Sequence, residues 1–405
     1  FLKGTNSLSL INSPEGLPLK NKFSKAFEYS DCWIEDSRLV ILNARDAEIR
    51  GAKINVRTKV TSAEQIKGVW HLTLHSLRDD TSRVVTARMI VNAGGPWVED
   101  IIQNKIRLNS SEGVRLVRGS HLITKKLYDH EKCYFFQGED GRIIFAIPYE
   151  TDFTLIGTTD VEHADISIKP ECTLEEQNYL INFASQYFKI KVTDDDIIKT
   201  YSGVRPLYND NASSASAATR DYVLSIDETL GAPMLNVFGG KITTYRKLSE
   251  NALDMISKIL PSVEVSWTAG VPLPGGNFDI KEVQDLKNKL LNKYTFLDQF
   301  WATRLLKAYG LDAFSILGCS NLVEDLGINF GATLTEKEVV WLIEKEYAQT
   351  ADDIIWRRSK LGLRLSNQEI KALSKWVDIN LIIKIIVLVI IIKIINFYLI
   401  DEDFI

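Results

Sequence analysis

Apolar residues fall at helical spacing between Asp36 and Arg50 (Leu39, Ile41, Leu42, Ala47, Ile49), which predicts a helix there. Strand-like runs follow at Ile54–Val60, Val69–His75 and Val84–Val91. The last of them leads into Asn92-Ala93-Gly94-Gly95-Pro96-Trp97, with Pro96 at the expected first helical position. Strands then dominate, at Val114–Thr124, Cys133–Gln137, Arg142–Tyr149 and Phe153–Gly157, and Asp140-Gly141 predicts a hairpin. Thr173 and Glu176 have capping-box spacing and predict a helix reaching Phe188. Strands resume at Ile197–Leu207, Tyr222–Ile226 and Met234–Val237. The last meets Gly239-Gly240-Lys241, and a helix is expected from about Thr244 to Leu260.

The pattern changes after Pro261. Gly270-Val271-Pro272-Leu273-Pro274-Gly275-Gly276 reads as a linker, and helical periodicity follows, with capping-box spacing at Thr335/Glu338 and Ser366/Glu369. A mixed α/β part over 1–264 and a helical part over 265–380 are therefore expected, with an atypical tail over 381–405. From Leu381 to Ile400 only Lys384, Lys393 and Asn396 are not apolar, a length that could span a bilayer. The two lysines stand about 180° apart around a helix, so the run is a poor surface-lying amphipathic helix.

Composition narrows the function. The 405 residues are 45% hydrophobic and 25% charged, which excludes disordered and collagen-like chains. A net charge of −5 gives no global basic field for nucleic acid, so any anion site must be local. The four cysteines form no C-x-x-C pair and the histidines no H-E-x-x-H, so no metal site is expected.

Several segments could carry chemistry. In Phe238-Gly239-Gly240-Lys241-Ile242-Thr243-Thr244-Tyr245-Arg246, the glycines admit a ligand close to the backbone and the helix start presents free N–H groups. Such a turn suits a phosphate or the anionic edge of a reduced flavin; a plain turn with a surface lysine is the alternative. Arg205, in Tyr201-Ser202-Gly203-Val204-Arg205-Pro206-Leu207, needs an anionic partner, either a structural carboxylate or a bound anion. Arg220 is a second guanidinium of that kind, with Asp221 beside it. His121, in Arg118-Gly119-Ser120-His121, is a candidate proton acceptor or a structural strand histidine. Ile156-Gly157-Thr158-Thr159-Asp160 closes a strand with small polar groups that either shape a pocket or form an ordinary turn.

Taken in order, these segments, with Phe27-Glu28-Tyr29-Ser30-Asp31-Cys32-Trp33 before them and Ala351-Asp352-Asp353 and Trp356-Arg357-Arg358 after, closely resemble the FAD-dependent glycerol-3-phosphate dehydrogenases. The resemblance covers roughly residues 10 to 378. It implies an FAD-binding Rossmann-like domain interleaved with a mixed-sheet substrate cap, followed by a C-terminal helical domain. It implies oxidation of sn-glycerol 3-phosphate to dihydroxyacetone phosphate, with electrons passed to membrane quinone. By the same resemblance, Arg205 and Arg220 hold the substrate phosphate, Lys241 lies near flavin and substrate hydroxyls, and His121 is the local base. Ala93, Gly94, Gly95, Pro96 and Trp97 line the FAD, as do Gly239, Gly240, Lys241, Ile242 and Thr243. A peripheral homodimer on the cytoplasmic face of the inner membrane is expected.

Two departures qualify that picture. The family's G-x-G-x-x-G loop, which holds the ADP half of FAD, occurs nowhere in these residues. The tail after Asp378 also does not resemble the family. The expectation is an incomplete chain, a weak binder of FAD that needs its missing N-terminal segment as partner, with a frame-altered tail or a membrane anchor. A non-catalytic remnant, or a related oxidase passing electrons to oxygen, are the alternative functions.

Overall fold

The computed structural model describes residues 3–108, 112–139, 141–209, 221–261 and 265–381. It divides into two compact units, one of residues up to Cys32 with Arg57–Ala269, the other of Trp33–Val56 with the chain from Gly270 onward.

The first unit is built on short hairpins and one larger sheet. Strands β1 (Asn6–Ser9) and β2 (Lys25–Glu28) pair with each other; β3 (Thr58–Ile66), β4 (Val69–Ser76) and β5 (Ser82–Ala87) form an antiparallel meander. The β3–β4 turn is Lys67-Gly68, both at positive φ, a tight hairpin that moves the first strand forward from the expected 54–60. Strand β6 (Ile90–Asn92) leads to the first glycine turn. A six-stranded antiparallel sheet follows, made of β7 (Val114–Lys125), β8 (Tyr134–Gln137), β9 (Ile143–Tyr149), β10 (Phe153–Gly157), β11 (Val161–Glu162) and β12 (Ile197–Tyr208). Its long strand β7 takes β12 along one edge, and β10 then β11 along the other. Strands β13 (Val223–Asp227) and β14 (Met234–Phe238) complete a three-stranded sheet in the order β13-β14-β6, where β14 and β6 run parallel.

The helix Leu174–Tyr187 covers one face of the six-stranded sheet, burying Leu180, Phe183 and Ala184 against Leu122, Ile144 and Ile156. Its capping box forms as the Thr173/Glu176 spacing predicts. A second cluster packs Val98 and Ile102, just past the first glycine turn, against Trp70, Met234 and Phe238.

The second unit is helical apart from the short hairpin β15 (Asn329–Gly331) and β16 (Leu334–Thr335). It takes in the helix Asp36–Ile49, which was expected inside a continuous 1–264 domain. The reason is electrostatic. Arg38 and Arg45 are 6% and 8% exposed, and both reach across the sequence to buried or half-buried carboxylates. Arg38 forks onto Glu346 and donates Nε to Ala308 O at 3.0 Å, while Arg45 Nη2 lies 2.9 Å from Asp312 Oδ2. No local pattern reports a partner some 300 positions away. The Ser366/Glu369 box forms reciprocally, but the Thr335/Glu338 box does not: Thr335 makes no side-chain cap, and Glu338 turns into a buried ion pair. Among the described residues no helix is long and apolar enough to cross a membrane. The apolar run lies, beyond Leu381, outside the described residues.

Candidate active site

Two glycine turns, 145 positions apart by number in the chain, come side by side because β6 and β14 pair in parallel, with Asn92 opposite Asn236. The two asparagines are buried, and Asn92 Nδ2 donates to Asn236 Oδ1 and to Val98 O, each at 3.0 Å. The bond between the asparagines locks the strand ends together at the point where both strands turn into helical structure. After β6, Gly95 adopts φ +55°, and a methyl group added there would meet nothing within 4 Å. After β14, Gly239 and Gly240 adopt φ +70° and +106°, and a Cβ on Gly239 would lie 2.9 Å from Asp221 O. The chain then enters the helix Tyr245–Ile256 through a turn in which Thr244 N donates to Lys241 O. Lys241, Ile242 and Thr243 are exposed at this turn, and the Lys241 ammonium has no carboxylate partner among the described residues. Gly95 is open, Gly239 and Gly240 give the second turn its positive φ, and a helix start and a cation lie beside them, an arrangement that fits the isoalloxazine end of FAD.

The second half of the site is one face of the six-stranded sheet. Tyr201, His121 and Gly157 stand opposite one another on β12, β7 and β10, as do Gly203 and Gly119, and Arg205 and Val117. Directly opposed residues share a face, so His121, Tyr201 and Arg205 project to the same side. The His121 and Tyr201 rings stack, 4.8 Å apart and 6° from parallel. Glycines make the room. A Cβ on Gly157 would come within 2.1 Å of His121 Cδ2, and one on Gly119 within 2.5 Å of Arg205 Nη2.

Arg205 does have a carboxylate partner. Its Nη1 donates to Asp160 Oδ1 at 2.8 Å and to Thr159 O at 3.3 Å, and Nη2 donates to Thr158 Oγ1 at 3.0 Å. Both ends of this ion pair are about one-third exposed, so the guanidinium is oriented by the protein yet reaches solvent. Strand β12 links the two halves: a Cβ on Gly239 would sit 3.6 Å from Pro206 O, and the Gly95–Trp97 turn packs beside the same strand. Arg220 lies outside the described residues.

On the opposite face, Ser120 hydrogen-bonds Ser202 and Glu176 at 2.8 Å each, and Arg118 Nη2 pairs with Glu176 at 2.9 Å. Burial pushes the Glu176 carboxyl upward, but bonds from Thr159, the Thr173 N–H, Ser120 and Arg118 together outweigh it and leave it below the usual glutamate range. The sign follows directly. A carboxyl with a lowered folded-state pKa adds stability that is fully present above the ordinary glutamate value and is lost as pH falls through the lowered one. The wild-type chain should therefore lose thermal stability more steeply below pH 4 than Glu176→Gln, as scanned by melting from about pH 6 to pH 3. Parallel curves would remove Glu176 from the acid response.

The sequence points to His121, Arg205 and Lys241, and to the Gly157 segment as a pocket or an ordinary turn, but gives Tyr201 no role of its own and Glu176 only a capping one. Tyr201 carried a usable signal, since it lies four residues before Arg205 on an alternating strand. Glu176 carried none beyond its cap. A separate cavity of about 340 Å³, with Leu17, Tyr128, His130 and Phe188 in its lining, shares no residue with this constellation.

Comparison with known proteins follows the same lines. Residues 7–246 match the FAD dependent oxidoreductase family, and 266–380 match the C-terminal domain of alpha-glycerophosphate oxidase. The chain is 44% identical to a glycerol-3-phosphate dehydrogenase of Pseudomonas aeruginosa, over 89% of this chain and 70% of that protein. It is 41% identical to a D-erythritol 1-phosphate dehydrogenase of Brucella abortus, over 93% and 75%. It is 39% identical to the aerobic glycerol-3-phosphate dehydrogenase of Escherichia coli, over 88% and 72%. In fold it matches the glycerol-3-phosphate dehydrogenase of Bacillus halodurans, whose structure contains FAD, with TM-score 0.73 at 22% identity over 93% of this chain and 81% of that one. FAD is the cofactor, and the chain belongs to the FAD-dependent oxidoreductase family, in its glycerol-3-phosphate dehydrogenase group.

Proposed function

We propose that this chain oxidises sn-glycerol 3-phosphate to dihydroxyacetone phosphate and passes the electrons to membrane quinone. The observation that carries this reading is the register of β7 and β12, which sets a candidate base and a guanidinium on one sheet face, beside paired glycine turns. In this reading Arg205 and Arg220 hold the phosphate, and Asp160 keeps the Arg205 fork in plane. His121 takes the proton of the substrate C2 hydroxyl as the C2–H leaves as hydride, and Tyr201 holds the imidazole flat. When bound, FAD supplies the hydride acceptor. Gly95 would admit it close to the backbone, Gly94, Gly239, Gly240, Lys241, Ile242 and Thr243 would line it, and Ala93, Pro96 and Trp97 would border it. A peripheral homodimer at the cytoplasmic face of the inner membrane completes the proposal.

The names of the relatives point to two polyol phosphates, one with three carbons and one with four. The test is dye-linked oxidation by the full chain with FAD, on glycerol 3-phosphate, D-erythritol 1-phosphate and glycerol. Glycerol 3-phosphate should give the highest kcat/KM, and glycerol, without a phosphate, a rate lower by at least about a hundredfold. Comparable rates on glycerol would overturn the phosphate reading. Hydrogen peroxide formed one-for-one with product, without quinone reduction, would replace the quinone with oxygen.

A further inference from the structure

Glu176 carries more bonds than its place at a helix start requires. A capping box asks a glutamate at the third helical position only to accept the N–H of the capping residue. Glu176 Oε2 does so, from Thr173 N at 3.0 Å, and also takes Arg118 Nη2 at 2.9 Å. Its other oxygen is committed wholly to the six-stranded sheet and the turn after β10, accepting Ser120 Oγ at 2.8 Å and Thr159 Oγ1 at 2.7 Å. Thr159 Oγ1 accepts in turn from Ser120 N at 2.9 Å. The carboxylate is 5% exposed, and its four acceptor positions are filled.

Thr159 is the middle residue of the turn that grips Arg205. Thr158 Oγ1, Thr159 O and Asp160 Oδ1 all accept from the guanidinium, while the Thr159 hydroxyl points back to Glu176. The turn is thus braced from both sides, with the arginine on one and a buried carboxylate on the other. An ion pair that is about one-third exposed holds an arginine loosely by itself, because solvent screens it. The buried bonds supply the rigidity.

From this geometry we infer that Glu176, acting through Thr159, is a positioning residue that aims the Arg205 guanidinium at the substrate phosphate. The inference rests on the reading of Arg205 given above. It assigns Glu176 and Thr159 to substrate recognition although neither lies on the face that carries His121.

Thr159→Val keeps the shape of the side chain and removes only its hydroxyl, and Thr159→Ser restores that hydroxyl. On the FAD-loaded chain, Thr159→Val should raise KM for glycerol 3-phosphate about tenfold with kcat within about twofold, and Thr159→Ser should recover most of the loss. The kinetics with glycerol should not move. Independently of turnover, the rise in melting temperature produced by glycerol 3-phosphate should shrink in Thr159→Val and return in Thr159→Ser. Glu176→Gln, which can no longer accept all four bonds, should show the same phosphate-selective loss and serves if Thr159→Val does not fold. An unchanged KM, or equal losses on glycerol and glycerol 3-phosphate, would overturn the inference. Arg205→Ala is run beside them. If Arg205→Ala discriminates between the two substrates and Thr159→Val does not, only the inference fails. If Arg205→Ala does not discriminate, the phosphate reading and the inference fall together.

Discussion

Arg205→Ala should lower kcat/KM for glycerol 3-phosphate by roughly 30- to 5,000-fold, the equivalent of about 2–5 kcal/mol for truncating one partner of a hydrogen-bonded charge pair. Oxidation of glycerol, which brings no phosphate, should be nearly indifferent. The expectation draws on the arginine's setting. Thr158, Thr159 and Asp160 already hold the guanidinium, so little ordering is left to be lost when an anion arrives. The exposed part of the group faces solvent and is accessible to a doubly charged ligand. Arg205→Lys separates charge from shape. It keeps the positive charge but loses the planar fork that matches phosphate oxygens, so its activity should fall between wild type and alanine. The measurement is steady-state dye reduction on both substrates for all three proteins. Equal losses on glycerol and glycerol 3-phosphate would make Arg205 structural, with Asp160 as its whole purpose.

How much of this site could be read from residues alone depends on the range of the interaction. The glycine turns were legible because a strand ending in Gly94-Gly95-Pro96 or Gly239-Gly240-Lys241 is a local pattern with a local cause. That the two turns meet was not legible, because the parallel pairing of β6 with β14 joins segments far apart in the chain. Likewise His121 and Arg205 were readable as candidates one by one, while their common face follows from a register between β7 and β12. The choice between carboxylate and ligand for Arg205 stayed open in the sequence; the structure supplies Asp160 and leaves the guanidinium partly exposed. Spacing misled where a side chain had a stronger claim elsewhere. Thr335 and Glu338 have capping-box spacing, but a buried guanidinium outcompetes a backbone N–H for the carboxylate. The helix Asp36–Ile49 was found by its periodicity, yet its arginines, ordinarily read as solvated, assign it to the second unit.

That competition yields the second large effect: Glu338→Ala should destabilise the helical unit by about 3–5 kcal/mol, the cost of breaking a buried pair from one side. Arg304 and Glu338 are 9% and 1% exposed and meet fork to fork, with Nη1–Oε1 and Nη2–Oε2 both at 2.7 Å. Arg304 also donates Nε to Thr333 Oγ1 at 2.9 Å and Nη2 to Thr333 O at 3.0 Å, so it cannot swing out to water without giving these up. Tyr309 adds a third donor, its hydroxyl 2.6 Å from Glu338 Oε1. Burial, and then the charges of Glu338 and Glu346, hold that hydroxyl well above the ordinary phenol range, so it remains a donor. Removing the carboxylate leaves the buried Arg304 charge without its counter-charge, held only by neutral groups such as Thr333, and takes the acceptor from the Tyr309 hydroxyl. Removing the whole polar set is a different matter. Arg304→Met, Glu338→Leu and Tyr309→Phe together remove this charge pair from both sides along with the hydroxyl bonded to it, and should recover most of the stability lost by Glu338→Ala alone. Urea unfolding of the three-residue variant, of Glu338→Ala and of wild type distinguishes the cases. A triple variant as unstable as the single one would mean that the charges themselves, rather than their mutual satisfaction, hold these helices together.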